Sequence, residues 1–378
     1  MESWIKRGFP MILVNEPVVG ESEIRYVQDC LETGWISSSG AYIEKFEREW
    51  AKYCGMRHGI SVSNGTAALQ VAVGCLRLEP GDEVIIPCFT IISCIQAIIY
   101  NNLTPVLVDC DPETWCMDVA QVEAKITPRT KAIMAVHMYG HPVDMDPIFD
   151  LAARHGLKII EDAAEAHGGE YKGRKCGSLG DISCFSFFAN KIVTTGEGGM
   201  LLTNDDAYAD RARSLRNLFF GPGRRFSHKE LGFNYRLTNM QAAIGLAQVE
   251  KIDSLVKRKI EISQYYLAAL KDIPGIQLPV QREWARNVYW MFGLILDVST
   301  GETAESFSQK MREEGIETRP YFLGMHQQPA FELQGMFEGQ SYPVTEKIAR
   351  QGLYIPTGLN LTQQMQDQVI AAVKKCIA

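Results

Sequence analysis

Lys191 is the residue of this sequence whose type and surroundings most directly suggest chemistry. It ends the run FSFFANK, in which aromatic and small residues alternate, and the glycine-rich segment TTGEGG follows it closely. A lysine that directly follows an apolar strand is partly desolvated, which lowers its pKa and makes its free amine available as a nucleophile. Taken alone, the simpler interpretation is a lysine whose ammonium group reaches solvent.

Two further segments supply an acid and a possible anion site. Asp162 ends the apolar segment IIED, and Gly65 and Thr66 lie in SNGTAAL, at the predicted start of a helix. Gly65 allows a close backbone approach, the first N–H groups of a helix suit a phosphate, and Thr66 adds a hydroxyl. Each segment also has a simple structural interpretation. IIED would place an acid near a helix N-terminus, and SNGTAAL would be an ordinary helix cap.

Together the three segments match the needs of one cofactor, pyridoxal 5'-phosphate (PLP). PLP requires a lysine for covalent attachment, a carboxylate that keeps the pyridine nitrogen protonated, and a site for its phosphate. The order of the segments along the chain fits neighbouring strands of one sheet. The sequence therefore predicts a PLP site built from Lys191, Asp162, Gly65 and Thr66.

The elements that must position these residues form an alternating pattern of short apolar strands and helix-like spacers. This pattern predicts an α/β fold with a mainly parallel sheet flanked by helices on both faces, and ligands bind at the carboxyl ends of such strands. The helical pattern that follows SNGT covers Ala67–Leu78. The predicted strands are Glu83–Pro87, Thr104–Val108, Lys131–Val136, Leu157–Ile160, Ile182–Phe188 and Gly199–Thr203.

The pattern changes near residue 250, which predicts two domains. Residues 15–250 would form a large cofactor-binding domain, and residues 251–378 a smaller α+β domain against which residues 1–30 pack. In the smaller domain we expect a long connecting helix, a strand and two shorter helices, at Ile252–Leu270, Val288–Leu296, Phe307–Glu314 and from Thr362 onward.

Composition limits the possible partners. The net charge is −7 at pH 7, which gives no general attraction for nucleic acid. The ten cysteines form no CxxC pair, so neither a zinc site nor a redox motif is expected, and we expect no metal. No signal peptide or membrane span is apparent. We expect a cytoplasmic protein that does not associate with membranes.

The sequence resembles the DegT/DnrJ/EryC1/StrS family of sugar aminotransferases, which belong to PLP fold type I. The resemblance extends over nearly the whole chain and is most specific in EDAAEAHGGEYKGRKCGSLGD and in FSFFANKIVTTGEGGM. Shorter matches are GWISSSG, GDEVIIP and ETRPYF. It implies an aspartate aminotransferase-like fold with a large domain and a smaller C-terminal domain. Some members of the family are dehydratases in which histidine replaces the lysine, so Lys191 favours transamination.

The resemblance also implies roles for individual residues. Lys191 would attach the cofactor and later carry a proton, Asp162 would pair with the pyridinium nitrogen, and Glu165 would lie near the phenolic oxygen of the ring. The phosphate would be held by Gly65, Thr66 and Ser186.

Two positions extend this assignment. Asn234, in GFNYR, would reach the phosphate in the neighbouring subunit, which implies a homodimer with shared active sites. Relatives often place an aromatic residue over the cofactor where this chain has Ile91, so the ring here would be covered by Ile91 as an apolar lid, or by Phe89 or His137 instead.

The resemblance implies L-glutamate as the amino donor and a nucleotide-linked keto sugar as the acceptor. The motifs are most similar to those of members that aminate C4 of 4-keto-6-deoxy sugars. The expected acceptor is GDP-4-keto-6-deoxymannose, which would give GDP-perosamine for O-antigen or another glycan.

Other acceptors remain open: a dTDP- or UDP-linked 4-keto sugar, or C3 of a 3-keto sugar. A non-catalytic regulator with this fold is disfavoured because the lysine and the acid are both present. For Arg224 and Arg225 a solvated surface pair is an equally good interpretation. The residues expected near the sugar nucleotide are Trp35, Ser37, Arg224, Arg225, Tyr321 and His326.

Overall fold

The computed structural model describes residues 11–220 and 226–377. Its helices are α1 (Glu21–Thr33), α2 (Ala41–Cys54), α3 (Gly65–Cys75), α4 (Ile92–Ile99), α5 (Met145–His155), α6 (Asp206–Arg216), α7 (Asn239–Val249), α8 (Ile252–Leu270), α9 (Ala304–Glu313), α10 (Pro329–Glu332), α11 (Pro343–Gln351) and α12 (Gln363–Ile377). Its strands are β1 (His58–Val62), β2 (Glu83–Pro87), β3 (Thr104–Val108), β4 (Thr130–Val136), β5 (Lys158–Asp162), β6 (Glu170–Tyr171), β7 (Arg174–Lys175), β8 (Ile182–Ser186), β9 (Gly199–Thr203), β10 (Ile276–Gln277), β11 (Ala285–Arg286), β12 (Phe292–Leu296), β13 (Arg319–Pro320) and β14 (Gly352–Ile355).

A seven-stranded sheet, in the order β1-β9-β8-β5-β4-β2-β3, forms the centre of the fold. Strands β3, β2, β4, β5 and β8 are parallel, and β9 runs antiparallel between β8 and β1. Consecutive residues of β2, such as Val84, Ile85 and Ile86, are fully buried, as expected for a strand that is covered on both faces. The predicted α/β fold with a mainly parallel sheet is confirmed.

The strand order brings the ends of two predicted site segments together. Strands β5 and β8 are adjacent and parallel, with Asp162 opposite Cys184. Their carboxyl ends therefore lie at the same edge of the sheet, with Asp162 on one strand and Ser186 on the next. Helix α3 begins at Gly65 beside this edge.

A smaller antiparallel sheet, in the order β10-β12-β14-β13, lies in the C-terminal part of the chain. Helices α8, α9 and α12 bury their apolar residues against it in a second hydrophobic cluster. Ile12 pairs with Ile316 in a parallel bridge beside this sheet, whereas α1 packs against α7. The predicted domain boundary, between residues 250 and 251, falls between α7 and α8.

Two predicted strands are longer than the strands observed. The segment predicted as Ile182–Phe188 ends as a strand at Ser186 because the chain then turns toward Lys191, whose N–H donates to the Phe188 carbonyl at 2.9 Å. The segment predicted from Val288 becomes a strand only at Phe292. Tyr289 has φ of 48°, a left-handed conformation that interrupts a strand.

No helix within residues 11–220 and 226–377 combines the length and the apolar character needed to cross a bilayer.

Candidate active site

A cavity of about 330 Å³ opens at the carboxyl edge of the central sheet. Its volume falls within the usual range of small-molecule sites, about 300–1,000 Å³. The walls come from the starts of α3 and α4, the ends of β5 and β8, and aromatic residues of the C-terminal part. Among the predicted site residues, those that line the cavity are Gly65, Thr66, Ile91, Asp162, Glu165, Ser186 and Lys191.

Lys191 projects into this cavity from the turn that follows β8, and only 9 % of its side chain is exposed. Its Nζ lies 3.9 Å from Glu165 Oε1 and 3.5 Å from the centroid of the Trp290 ring. Burial lowers the pKa of Lys191, and the charges of Glu165 and Asp162 oppose this shift. The side chain is thus held inside the cavity, where its amine loses its proton more readily than that of a lysine in water.

Glu165 is the acidic partner of Lys191. Burial raises the pKa of Glu165 to about 7, and the charge of Lys191 acts in the opposite direction. Glu165 Oε2 accepts a hydrogen bond from the backbone N–H of Tyr139 at 2.8 Å. The other oxygen faces the lysine at 3.9 Å, so the two side chains form a buried pair of opposite charge without a direct hydrogen bond.

Asp162 is a buried carboxylate at the end of β5. Its Oδ1 accepts from the N–H of Ala164 at 3.0 Å, and its Oδ2 accepts from the thiol of Cys94 at 3.2 Å. Burial raises the pKa of Asp162. No cationic group of the described chain lies within ion-pair distance of it. A protonated ring nitrogen in the cavity would supply the missing counter-charge.

The glycine at the start of α3 allows the helix start to approach Ser186 closely. A Cβ on Gly65 would lie 2.7 Å from Ser186 Cβ, which is closer than real side chains approach. Asn64 Oδ1 caps the helix by accepting from the N–H of Ala67 at 2.8 Å. The helix geometry leaves the N–H groups of Gly65 and Thr66 without an intrahelical acceptor, and the Thr66 hydroxyl lies 2.8 Å from that of Ser93. The result is a cradle of donors suited to a phosphate.

The structure therefore fits PLP in three independent respects: a desolvated lysine, a buried carboxylate without a counter-charge, and a donor cradle beside a glycine. Lys191, Asp162, and Gly65 with Thr66 and Ser186 would hold these three parts of the cofactor.

The residues considered as alternatives to Ile91 lie elsewhere. Ile91 is 39 % exposed and lines the cavity. Phe89 is fully buried and packs edge-on against Tyr139. His137 is also fully buried, and its two ring nitrogens bond Glu161 Oε1 at 2.9 Å and the N–H of Val143 at 3.0 Å. Neither Phe89 nor His137 lines the cavity.

Of the residues predicted near the sugar, the four that the structure describes do not line the cavity of the single chain. Tyr321 is buried among aromatic rings, and His326 bonds Cys88 Sγ and Glu346 Oε1, each at 3.1 Å. Trp35 and Ser37 are exposed on the surface.

Asn234 is exposed and pairs with Asn217 in an isolated bridge. It does not line the cavity of its own chain. Arg224 and Arg225 lie outside the described residues.

The sequence interpretation missed several residues of the cavity wall. Asn64 adjoins the recognised glycine and could have been inferred as a helix cap from the SNGT pattern. Some of the others lie in the recognised lysine segment but carry no pattern of their own, and the fold brings the rest from distant parts of the chain. They are Ser93, Cys184, Asn190, Glu197, Trp290, Phe322 and Tyr354.

Comparisons with known proteins agree with this geometry. Residues 17–374 match the model of the DegT/DnrJ/EryC1/StrS aminotransferase family. The chain is 44 % identical to GDP-perosamine synthase of Caulobacter vibrioides, with 97 % of this chain and 99 % of that protein covered. It is 41 % identical to GDP-perosamine synthase of Escherichia coli O157:H7, with 96 % and 98 % covered. DesV of Streptomyces venezuelae, solved in complex with a ketimine intermediate, superposes with a TM-score of 0.88 at 36 % identity, with 94 % of each chain covered.

Proposed function

This chain belongs to the DegT/DnrJ/EryC1/StrS aminotransferase family and is a PLP-dependent sugar aminotransferase; on that premise, we propose that it transfers the amino group of L-glutamate to C4 of GDP-4-keto-6-deoxymannose and so forms GDP-perosamine. The observation that carries the choice of acceptor is the 44 % identity, over 97 % of the chain, to a protein named GDP-perosamine synthase. The cavity supports the reaction type because Lys191, Glu165 and Asp162 face the same space.

When bound, the cofactor would supply an electron sink, which allows the donor carbon to lose a proton and the acceptor carbon to gain one. Asp162 would hold a proton on the ring nitrogen and so maintain that sink. Gly65, Thr66 and Ser186 would anchor the phosphate and fix the ring relative to Lys191. Once released from the cofactor, the amine of Lys191 would move a proton between the amino-bearing carbon of the donor or product and the cofactor carbon.

Burial of Lys191 serves this proton transfer. An amine with an ordinary lysine pKa is almost fully protonated at neutral pH and cannot accept a proton. Burial lowers the pKa of Lys191 and so brings it nearer to the working pH, where a general base is most effective. Glu165, 3.9 Å away, would compensate the ammonium charge after the proton has moved.

We further propose that the active enzyme is a homodimer in which Asn234 completes the cavity of the partner subunit. Asn234 is exposed and lies outside the cavity of its own chain. Large apolar residues are also exposed on α1 and after it, including Ile24, Leu31, Trp35 and Ile36, as expected where a second chain packs.

Subunit mixing tests this arrangement. Lys191→Ala and Asn234→Ala homodimers should each be impaired, and a mixture allowed to exchange subunits should recover activity. In the mixed dimer one site has its own Lys191 and the partner's intact Asn234. If Asn234 acted within its own chain, no site of the mixed dimer would be complete, and mixing would not raise activity above that of the separate variants.

The acceptor is tested by competition between nucleotide sugars. Purified enzyme with glutamate should be offered the GDP-, dTDP- and UDP-linked 4-keto sugars, with Lys191→Ala as the inactive control. We expect turnover mainly of the GDP sugar, and NMR of the product should place nitrogen on C4. Turnover only of a dTDP or UDP sugar, or nitrogen on C3, would contradict the proposal.

We also propose that the product enters O-antigen or another glycan, and that the enzyme works in the cytoplasm. The ten cysteines are all free and buried, which suits a reducing compartment.

A further inference from the structure

Trp290 is the aromatic residue that faces the amine of Lys191 in the cavity. It comes from the segment before β12, 99 residues beyond the lysine, and is 4 % exposed. The Nζ atom of Lys191 lies 3.5 Å from the centroid of its ring. This is well inside the distance of about 6 Å within which an ammonium group is attracted to an aromatic face.

The ring is fixed relative to the turn that carries the lysine. Trp290 Nε1 donates to the backbone carbonyl of Asn190, the residue before Lys191, at 2.8 Å. Asn15 Nδ2 donates to the same carbonyl at 2.6 Å. The two bonds tie the indole and the lysine backbone to one point, so the distance between the ring face and the amine is set by the fold.

We propose that the face of Trp290 is the resting position of the Lys191 ammonium whenever the amine is not bonded to the cofactor. Trp290 is thus a positioning residue, which keeps the released lysine inside the cavity and ready for proton transfer. The inference rests on Lys191 being the cofactor lysine, but not on the identity of the sugar.

Neither carboxylate near the amine holds it through a hydrogen bond, so the contact that fixes its position is the one with the Trp290 ring. Glu165 is the nearest charge, but its Oε1 lies 3.9 Å from Nζ, which is beyond hydrogen-bond distance. Asp162 acts on Lys191 only through its charge.

The remaining titratable groups near Lys191 add little charge. Burial lowers the pKa of His167 to about 3 and raises that of Cys94 well above its ordinary value, so both stay neutral at neutral pH. Tyr354, whose pKa burial raises, is neutral as well. Glu197 also lines the cavity, and its side chain is exposed to solvent.

The ring should therefore stabilise the protonated amine and raise the pKa of Lys191 above the value that the same cavity would give without it. Removing the ring should lower this pKa by about half to one pH unit, given the usual strength of such contacts.

The test measures how fast cofactor-free enzyme captures PLP. The absorbance change is recorded over a series of pH values, with no sugar or glutamate present. The rate of capture depends on the fraction of Lys191 that is unprotonated. Trp290→Leu removes the ring, and Trp290→Met serves if the leucine variant does not fold. Trp290→Phe keeps an aromatic face but loses the N–H. Phe322→Leu is the matched control. It also removes a ring from the cavity wall, but the ring that the Lys191 amine contacts in the described structure is that of Trp290.

We expect the pH midpoint of capture to fall by about half to one unit in Trp290→Leu and to remain near the wild-type value in Trp290→Phe and Phe322→Leu. An unchanged midpoint in Trp290→Leu, or equal shifts in all three variants, would overturn the inference while leaving the proposed function intact. Failure of the wild-type enzyme to capture PLP at any pH would overturn the assignment of Lys191 itself.

Discussion

Glu161 and Asp162 are consecutive residues of β5, but their carboxylates have entirely different surroundings. Asp162 faces the cavity and accepts only from the Ala164 N–H and the Cys94 thiol. Glu161 is fully buried away from the cavity and accepts from the N–H groups of Gly177, Leu179 and Gly180, and from the Ser183 hydroxyl at 2.7 Å. Successive side chains of a strand point to opposite faces of the sheet. One carboxylate therefore faces the cavity without a counter-charge, and the other has hydrogen-bond donors on both oxygens.

Asp162→Asn should abolish most activity without destabilising the cofactor-free protein. Asparagine keeps an acceptor for the Ala164 N–H but carries no charge for the ring nitrogen, so we expect kcat to fall by about 10²–10³-fold. Burial raises the pKa of Asp162 in the folded state, so its ionisation costs stability as pH rises through that pKa. The variant should therefore unfold at no lower denaturant concentration than wild type at neutral pH, and a large loss of stability would contradict this account.

Glu161→Gln should have the opposite effect. Burial alone would raise the pKa of Glu161. Three partners oppose this effect: His137 through a hydrogen bond and its charge, and the Gly177 N–H and the Ser183 hydroxyl through hydrogen bonds. The net pKa of Glu161 is below its ordinary value. The ionised form thus stabilises the fold above the ordinary pKa, and this contribution is lost as pH falls through the folded-state pKa. We expect a loss of about 2–3 kcal/mol at pH 7, measured by urea unfolding, with a smaller loss at acidic pH. Equal losses at both pH values would argue against an ionised Glu161.

Gly65→Ala should weaken cofactor binding, because the new Cβ would lie 2.7 Å from Ser186 Cβ. Overpacking of this kind costs about 1–3 kcal/mol, so the Kd for PLP should rise about 5- to 150-fold in an absorbance titration. Gly20→Ala is the control, since Gly20 also stands at a helix start and the nearest atom to its added Cβ is 3.4 Å away. Unchanged PLP affinity in Gly65→Ala would remove this glycine from the phosphate cradle.

Lys259→Met should flatten the pH dependence of stability. Lys259 is 1 % exposed in α8, its ammonium donates to the Thr357 carbonyl, and burial lowers its pKa to about 7. Between pH 7 and the ordinary lysine pKa the unfolded chain binds a proton that the folded protein lacks, so stability should rise with pH by up to about 1.4 kcal/mol per unit. Urea unfolding at several pH values should show a smaller slope in Lys259→Met. The exposed Lys257→Met variant should keep the wild-type slope, and equal slopes in all three proteins would contradict the prediction.

Local patterns were sufficient to predict most of the sheet and one half of the site. The strand β2 has the predicted bounds, and Lys191, Asp162 and Gly65 follow strands or begin helices in ways that short segments reveal. These residues lie at strand ends or at a helix start, where ligands bind in α/β folds and where local sequence patterns are informative.

The other half of the site depends on tertiary packing that no local pattern encodes. Trp290 and Tyr354 reach the cavity from the C-terminal part of the chain, and their segments have only the character of ordinary apolar strands. The sequence pattern does not reveal strand β1, which forms an edge of the central sheet against β9. Its neighbour in the sheet lies about 140 residues away in the chain, so its sequence alone does not show where it pairs.

Covalent labelling of the cofactor lysine tests the central claim most directly. Enzyme loaded with PLP should be reduced with borohydride, digested and analysed by mass spectrometry. We predict that the cofactor mass appears on the peptide containing Lys191 and is absent from a Lys191→Ala control treated in the same way. Label on another lysine, such as the buried Lys259, or no label on protein that has bound PLP, would contradict the assignment of Lys191.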